Sequence, residues 1–224
     1  MKKNTKKIVT AAGIAAGTAA VASLYAYVTI KALIDTALDR EMPKVMEKAD
    51  KRISGEKSSD EFTNRMESAS ESLAVQPNET VEIIAHDGEK LVGHYFPCEK
   101  PERVIIAFHG WRSSWHRDFG MISDFWYKNN CSVLYVEQRG QNNSSGEYMG
   151  FGLTERFDCL DWLNWEIERC GSDIPVYLAG VSMGATTVLM AAGLQLPPNV
   201  HGIMADCGFT SANAIWEHIA KDNL

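Results

Sequence analysis

Three rhythms of apolar and polar residues succeed one another along the chain. From Ile8 to Ile30 no charged residue interrupts a run of Ala, Val, Ile and Tyr, long enough to cross a bilayer, which takes roughly 20 residues. Lys2, Lys3, Lys6 and Lys7 stand just before it. They predict a cytoplasmic N-terminus and a chain that continues outside the cell. Ala20-Val21-Ala22 resembles a signal-peptidase site, so a cleaved leader is the alternative. Hydrophobicity continuing through Leu24, Tyr25, Tyr27, Val28 and Ile30 favours an uncleaved single-pass anchor over residues 1–30.

Between Lys31 and Pro77 the chain turns charged and Ser-rich. Ile34, Leu38, Met42, Val45 and Met46 recur at helical spacing, as do Phe62, Met66, Ala69 and Leu73. Ser54-Gly55 separates the two runs, and Ser59, Asp60 and Glu61 predict a helix start. Two amphipathic helices are expected over 31–77, forming a stalk or packing against the domain C-terminal to them.

From residue 78 the rhythm changes again, to short apolar strands alternating with amphipathic helices. Val81–Ala85 and Leu91–Phe96 flank Asp87-Gly88 as a hairpin. Val104–Phe108 is apolar throughout, as a strand buried on both faces would be. A helix with Met121, Ile122, Phe125 and Trp126 on its inner side comes next, then the strand Ser132–Val136. Thr154 is the expected cap of a helix carrying Leu160, Leu163 and Ile167, which Gly171 ends. Val176–Ala179, a helix from Met183 and the strand His201–Ala205 complete the series. Strand and helix in this alternation predict an α/β domain over 78–224, a mostly parallel sheet with helices on both faces.

Composition removes several functional classes. The formal net charge is −7 and no basic stripe is present beyond the first residues, which argues against a nucleic-acid partner. Cys98, Cys131, Cys159, Cys170 and Cys207 form no C-x-x-C pair, so neither a zinc site nor a disulfide framework is indicated. No metal or organic cofactor is implied.

One motif carries chemistry. Gly180-Val181-Ser182-Met183-Gly184 lies between a predicted strand and a predicted helix. A nucleophilic serine needs a tight, strained turn at that junction, with small residues two positions to either side. The turn opens a helix, so the Met183 amide and the positive helix end face the serine and can stabilise a developing oxyanion.

His109-Gly110-Trp111 directly follows the strand Val104–Phe108. With this element the chain resembles the α/β-hydrolase superfamily. The resemblance implies the α/β-hydrolase fold, the Trp111 amide as second oxyanion donor, and His109 as a loop-shaping residue. Glu137-Gln138-Arg139-Gly140, followed by Ser144-Ser145-Gly146, looks like the Arg-Gly loop of the same family; its alternative reading is a surface loop. Asp206-Cys207-Gly208-Phe209-Thr210-Ser211 is similar to the segment after the elbow in membrane-anchored or cell-surface α/β hydrolases of Gram-positive bacteria.

The expected function is a membrane-tethered serine hydrolase with its domain outside the cell, acting on small carboxylic esters or related acyl compounds through Ser182, Trp111 and Met183. A non-catalytic surface protein keeping the fold for binding is the alternative. Trp111 and Trp115 are the tryptophans placed to shape an acyl pocket. His86 and His94 are expected to be turn or solvent residues, His116 a surface residue near the oxyanion loop, and His201 a residue at the far end of the sheet. In the family the acid and the histidine come after later strands. Asp206 is the acid candidate and His218 the remaining histidine, and the fold is expected to be C-terminally truncated, continuing for about 80 to 100 residues in its full form.

Overall fold

The computed structural model describes residues 20–32, 34–41 and 61–222. The lysines before Ile8, the first half of the predicted span and residues 42–60 lie outside them. Helix α1, Ala20–Leu38, is long and apolar enough to cross a membrane, with a mean hydropathy of 1.3 in its most apolar window. A signal sequence would pass the same test. Val21, Leu24, Tyr25, Tyr27, Val28 and Ile30 all point away from the protein. Ile34 and Leu38, the described part of the first expected amphipathic run, continue α1, and Met42, Val45 and Met46 of that run lie outside the described residues.

The second run is helix α2, Glu61–Ala74, and it packs against the domain. Its partner is α3, Trp115–Lys128. The two cross so closely that a Cβ on Gly120 would lie 2.7 Å from the Ala69 carbonyl carbon. Leu73, 1% exposed, closes the contact.

Six strands form one sheet in the order β1-β2-β4-β3-β5-β6. They are β1 Glu79–Ile84, β2 Lys90–Phe96, β3 Arg103–Phe108, β4 Cys131–Glu137, β5 Val176–Val181 and β6 Val200–Asp206. β2 runs antiparallel to β1 and β4, and every other pairing is parallel. The side-chain alternation of β3 divides the core. Val104, Ile106 and Phe108 join Leu134, Leu178, Trp162 and Val188 on one face, beneath α4, Glu155–Cys170, and α5, Met183–Ala191. Ile105 and Ala107 join Trp115, Phe119, Trp126 and Tyr135 on the other, beneath α2 and α3. Helix α6, Ala212–Asp222, comes after β6.

Two expected details differ. The inner face of α3 is Trp115, Phe119, Gly120, Ser123 and Trp126, whereas Met121, Ile122 and Phe125 are exposed. Thr154 makes no side-chain cap on α4. The Glu155 carboxylate instead holds the loop that leads into α4, accepting from the Gly150 N–H at 2.6 Å and the Gly152 N–H at 2.9 Å. Gly171 ends α4 as expected, with φ +83°.

Glu166 on the inner side of α4 is a destabilising group. It is 1% exposed and neither carboxylate oxygen has a conventional partner. Burial pushes its carboxyl up to about 7, with Cys170 and Arg169 only partly offsetting it. Between an unfolded value of 4.5 and this folded value the native state binds more protons than the unfolded chain. Stability therefore falls as pH rises through that window and levels off above it. Glu166→Gln should be the more stable protein at pH 8, by on the order of 2 kcal/mol, and should lose the pH slope between 4.5 and 7 in thermal melts of the full chain. An unchanged slope would show that Glu166 stays ionised at little cost.

Candidate functional site

The carboxyl ends of β3, β4, β5 and β6 all open on one edge of the sheet, and the chemistry-bearing residues gather there. Ser182 links β5 to α5 with φ 52° and ψ −112°, a left-handed backbone that costs a non-glycine residue about 1–3 kcal/mol. Its N–H donates to the Asp206 carbonyl at 2.8 Å, and its own carbonyl accepts the Thr186 N–H at 3.1 Å. The flanking glycines are required by contact. A Cβ on Gly184 would sit 1.9 Å from the Phe108 carbonyl oxygen, and one on Gly180 would sit 2.3 Å from the Gly184 carbonyl carbon. The serine is half-buried, and its Oγ has no hydrogen-bond partner among the described residues.

Because β3 lies beside β5, the loop after β3 runs past this serine. A Cβ on Gly110 would lie 3.4 Å from the Ser182 Cβ. Asp118 holds the loop in place, accepting from the Gly110 N–H and the Ser113 hydroxyl, each at 2.6 Å. The backbone amides of Trp111 and Met183 donate to no group among the described residues. Met183 directly follows the serine, and Trp111 belongs to the loop that passes it.

His109 is wholly buried and its ring is fully committed. Nδ1 lies 2.8 Å from the Gly110 carbonyl, which can only accept, so Nδ1 carries the proton. Nε2 then accepts from the Gln138 N–H and the Asn142 amide, both at 3.2 Å. Burial pushes its pKa down, outweighing the Gly110 carbonyl and nearby carboxylates. A neutral imidazole with both nitrogens bonded shapes the loop and cannot take a proton from Ser182.

The other histidines also have partners or positions elsewhere. His94 is neither a turn nor a solvent residue: it lies under the sheet edge, stacked on Trp115 at 4.4 Å with Nε2 2.8 Å from Glu137. His116 bonds Ser70 and Ser114, and His86 bonds Asp161. His201 stands at the amino end of β6 against Tyr177. His218 is exposed on α6. Asp206 is register partner of Val181 at the end of β6, with its side chain exposed.

An aromatic cluster covers the apolar side of the site. Trp111, Phe151, Phe209 and Trp216 pack with Leu38, Met149 and Met183, with Trp111 edge-on to Trp216 at 5.7 Å. Trp115 is not among them. It is 6% exposed inside the opposite core face, because α3 turns its first residue inward. Trp216 takes the place expected for it. The 138–149 loop is a surface loop only in part: Asn142, Asn143, Glu147 and Tyr148 are exposed, whereas Arg139 is buried and bridges Asp158 of α4 and Asp87 of the β1–β2 turn. Its guanidinium holds the Asp87 carboxyl down at about 2.

Residues 36–40 dock on these same loops. Asp39 and Tyr148 form an isolated antiparallel bridge, and the Met149 N–H donates to the Leu38 carbonyl at 2.7 Å. The Trp111 indole N–H donates to the Ala37 carbonyl at 3.1 Å. Arg112, itself at φ 50°, caps the end of α1 by donating to the carbonyls of Thr36, Asp39 and Arg40. Nothing in the sequence pattern marks these contacts, since they are made to backbone carbonyls.

For a metal, His86, Asp158 and Asp161 have ligand atoms within 4.8 Å of one another. Arg139 pairs with Asp158 and His86 bonds Asp161, so two of the three groups already have protein partners on the atoms a cation would use.

No protein-family model matches the chain, and no curated protein matches it in sequence. Solved structures do match. An esterase of Pyrococcus furiosus is 22% identical with a TM-score of 0.57 over 67% of this chain and 56% of its own. The α/β hydrolase GrgF of a Penicillium species is 20% identical, with a TM-score of 0.53 over 66% of this chain and 53% of its own. The chain therefore has the α/β-hydrolase fold and spans a little over half the length of these two proteins.

The crossing at Gly184 yields a prediction. Gly184→Ala should cost at least about 3 kcal/mol, about 10 °C in melting temperature for a domain of this size, because backbone must move to admit the methyl group. Gly193→Ala, whose Cβ would meet only the Met190 carbonyl at 3.3 Å, should change stability by less than about 1 kcal/mol. Equal melting temperatures would mean that α5 can shift off β3.

Proposed function

We propose that the chain is a serine hydrolase of carboxylic esters or related acyl compounds, with Ser182 as its nucleophile. The observation that carries this reading is the strained backbone at Ser182, set beside two amides with no partner of their own. Strain at a non-glycine residue persists only where the surrounding structure enforces it, and in this reading it serves to present the serine to those donors. In this reading Ser182 Oγ attacks the acyl carbon while the carbonyl oxygen moves into the reach of the Trp111 and Met183 N–H groups. Donors fixed before the reaction need no reorganisation as charge develops, and one of them is worth roughly 3–4 kcal/mol of barrier. A histidine oriented by an acid must take the serine proton and return it to the leaving group. His86, His94, His109, His116 and His201 are all committed elsewhere, which leaves His218 on α6 as the histidine for that role; Asp206 is the acid we assign. The cluster of Trp111, Phe151, Phe209 and Trp216 supplies apolar surface for an acyl chain.

The unbonded Ser182 Oγ favours a second reading, a binding protein that keeps the fold without turnover. A fluorophosphonate probe separates the two, because it reacts only with an activated serine. The full chain in detergent should be labelled, and Ser182→Ala should reduce labelling to background and p-nitrophenyl acetate turnover at least about 10³-fold, with its melting temperature kept. An unlabelled, folded wild-type chain would leave the binding reading.

We also assign α1 as a single-pass anchor, from its length, its exposed apolar side chains and the lysines before it. The protein should then resist carbonate extraction, and protease added to intact protoplasts should digest the domain. Release into the soluble fraction with a new N-terminus at Ser23 would instead mark a cleaved leader.

A further inference from the structure

Residues 36–40 join the apolar surface of α1 to the edge of the sheet that carries Ser182. The long uncharged run ends at Ile30, and Lys31 and Asp35 follow as an exposed ion pair at 2.8 Å. For a helix in a bilayer such a pair marks the end of the hydrocarbon, where charges are no longer expensive. Leu38 stands about 12 Å beyond Ile30 along the helix axis. A headgroup layer is roughly 5–8 Å thick, so Leu38 lies just above it when α1 follows the membrane normal.

Leu38 is also part of the apolar cluster beside Ser182. It packs with Met149, Phe151, Met183 and Trp111, and its carbonyl holds the Met149 N–H. Met183 is the residue after the serine. Trp111, Phe209 and Trp216 of the same cluster are only half-buried, which leaves apolar surface open at this edge. The described side chains from Val21 to Ile34 are exposed, so α1 projects away from the domain at the edge that carries Ser182. Tyr148, next to Met149, pairs with Asp39 in the isolated bridge. Its side chain is 55% exposed and within electrostatic reach of Lys31. A tyrosine at that level has the amphipathic character that bilayer interfaces favour.

A water-soluble ester gains nothing from this placement, because a bilayer below the edge blocks many of its approaches. An acyl chain already in the bilayer gains twice. Its ester lies at the interface, close to the height of the cluster, and its tail passes from lipid to protein with little exposure to water. We propose that the substrate is an acyl ester of a bilayer lipid, drawn from the membrane that holds α1. The proposal rests on Ser182 as the nucleophile and α1 as the anchor. Ser182 Oγ bonds to the acyl carbon as the bond from that carbon to the lipid alcohol breaks, and the serine proton leaves with the alcohol. Water then cleaves the acyl-serine and returns a proton to Oγ, giving a free carboxylic acid and a lipid short of one chain.

The test places the full chain in vesicles of ether-linked phosphatidylcholine carrying either dioleoylglycerol or dioleoylphosphatidylglycerol. Oleate release is measured beside p-nitrophenyl acetate turnover in the same vesicles. The wild-type chain should release oleate from at least one of the two lipids, and Ser182→Ala should lose both activities. Tyr148→Asp sets a negative charge at the interface, so it should slow oleate release at least about fivefold while p-nitrophenyl acetate turnover stays within about twofold. Tyr148→Ser stands in if that variant fails to fold. Turnover of p-nitrophenyl acetate with both lipids left intact overturns this substrate class and leaves Ser182 as the nucleophile. Loss of both activities alike in a folded Tyr148 variant, or of neither, overturns the route from the bilayer. A wild-type chain inactive on every substrate removes the Ser182 reading and this proposal with it.

Discussion

The approach of α5 to the end of β3 is the constraint on which the rest of the site depends. A helix axis ordinarily stays far enough from a strand for side chains to fit between. Here the backbone of Gly184 lies so near the Phe108 carbonyl that no carbon fits. That contact fixes where the helix can start, and Ser182 must bridge the remaining gap in a conformation it would not choose alone. It also brings the β3 loop against the serine, because Phe108 is the last residue before His109. The geometry rests on covalent connectivity and steric exclusion, both indifferent to pH and salt.

Around that crossing the two ends of the sheet are built differently. The middle and the amino end rest on apolar contact through Val104, Ile106, Leu134, Leu178 and Trp162. The carboxyl end rests on buried polar groups. Gln138 donates its side-chain amide to the His109 carbonyl and accepts from Thr187 of α5 at 2.9 Å, tying β3, β4 and α5 together. Glu137, 3% exposed, accepts from Asn143 and bonds His94. Such networks are directional, so they specify loop positions in a way that hydrophobic burial cannot. The cost is that each member depends on its neighbours for satisfaction.

The sequence discloses this architecture unevenly, for physical reasons. Uninterrupted runs such as Val104–Phe108 mark strands buried on both faces, and the residues around Ser182 reveal their strand–helix junction, because steric rules there admit few residue types. Position within a helix is harder to read. On α3, Met121, Ile122 and Phe125 keep the same period as Trp115, Phe119 and Trp126, and only tertiary contact decides which stripe turns inward. The same ambiguity displaced Trp115 from the site and concealed Trp216. Least legible are interactions that join a side chain to distant backbone. Glu155 on the loop amides before α4, or Arg112 on the carbonyls of Thr36, Asp39 and Arg40, leaves no periodic trace.

The docking of residues 36–40 has a mechanical consequence. A domain hung on a flexible linker samples a hemisphere of orientations and can be approached from any direction. Here Arg112, the Trp111 indole and the Asp39–Tyr148 bridge weld the helix to the loops beside Ser182. For a helix lodged in a bilayer, that weld leaves the protein lateral diffusion and spin about the membrane normal, with tilt suppressed. The sheet edge that carries Ser182 would then stay at a fixed height above the lipid surface. Anything that meets that edge would then meet it from the side, parallel to the lipid surface, and not from every direction.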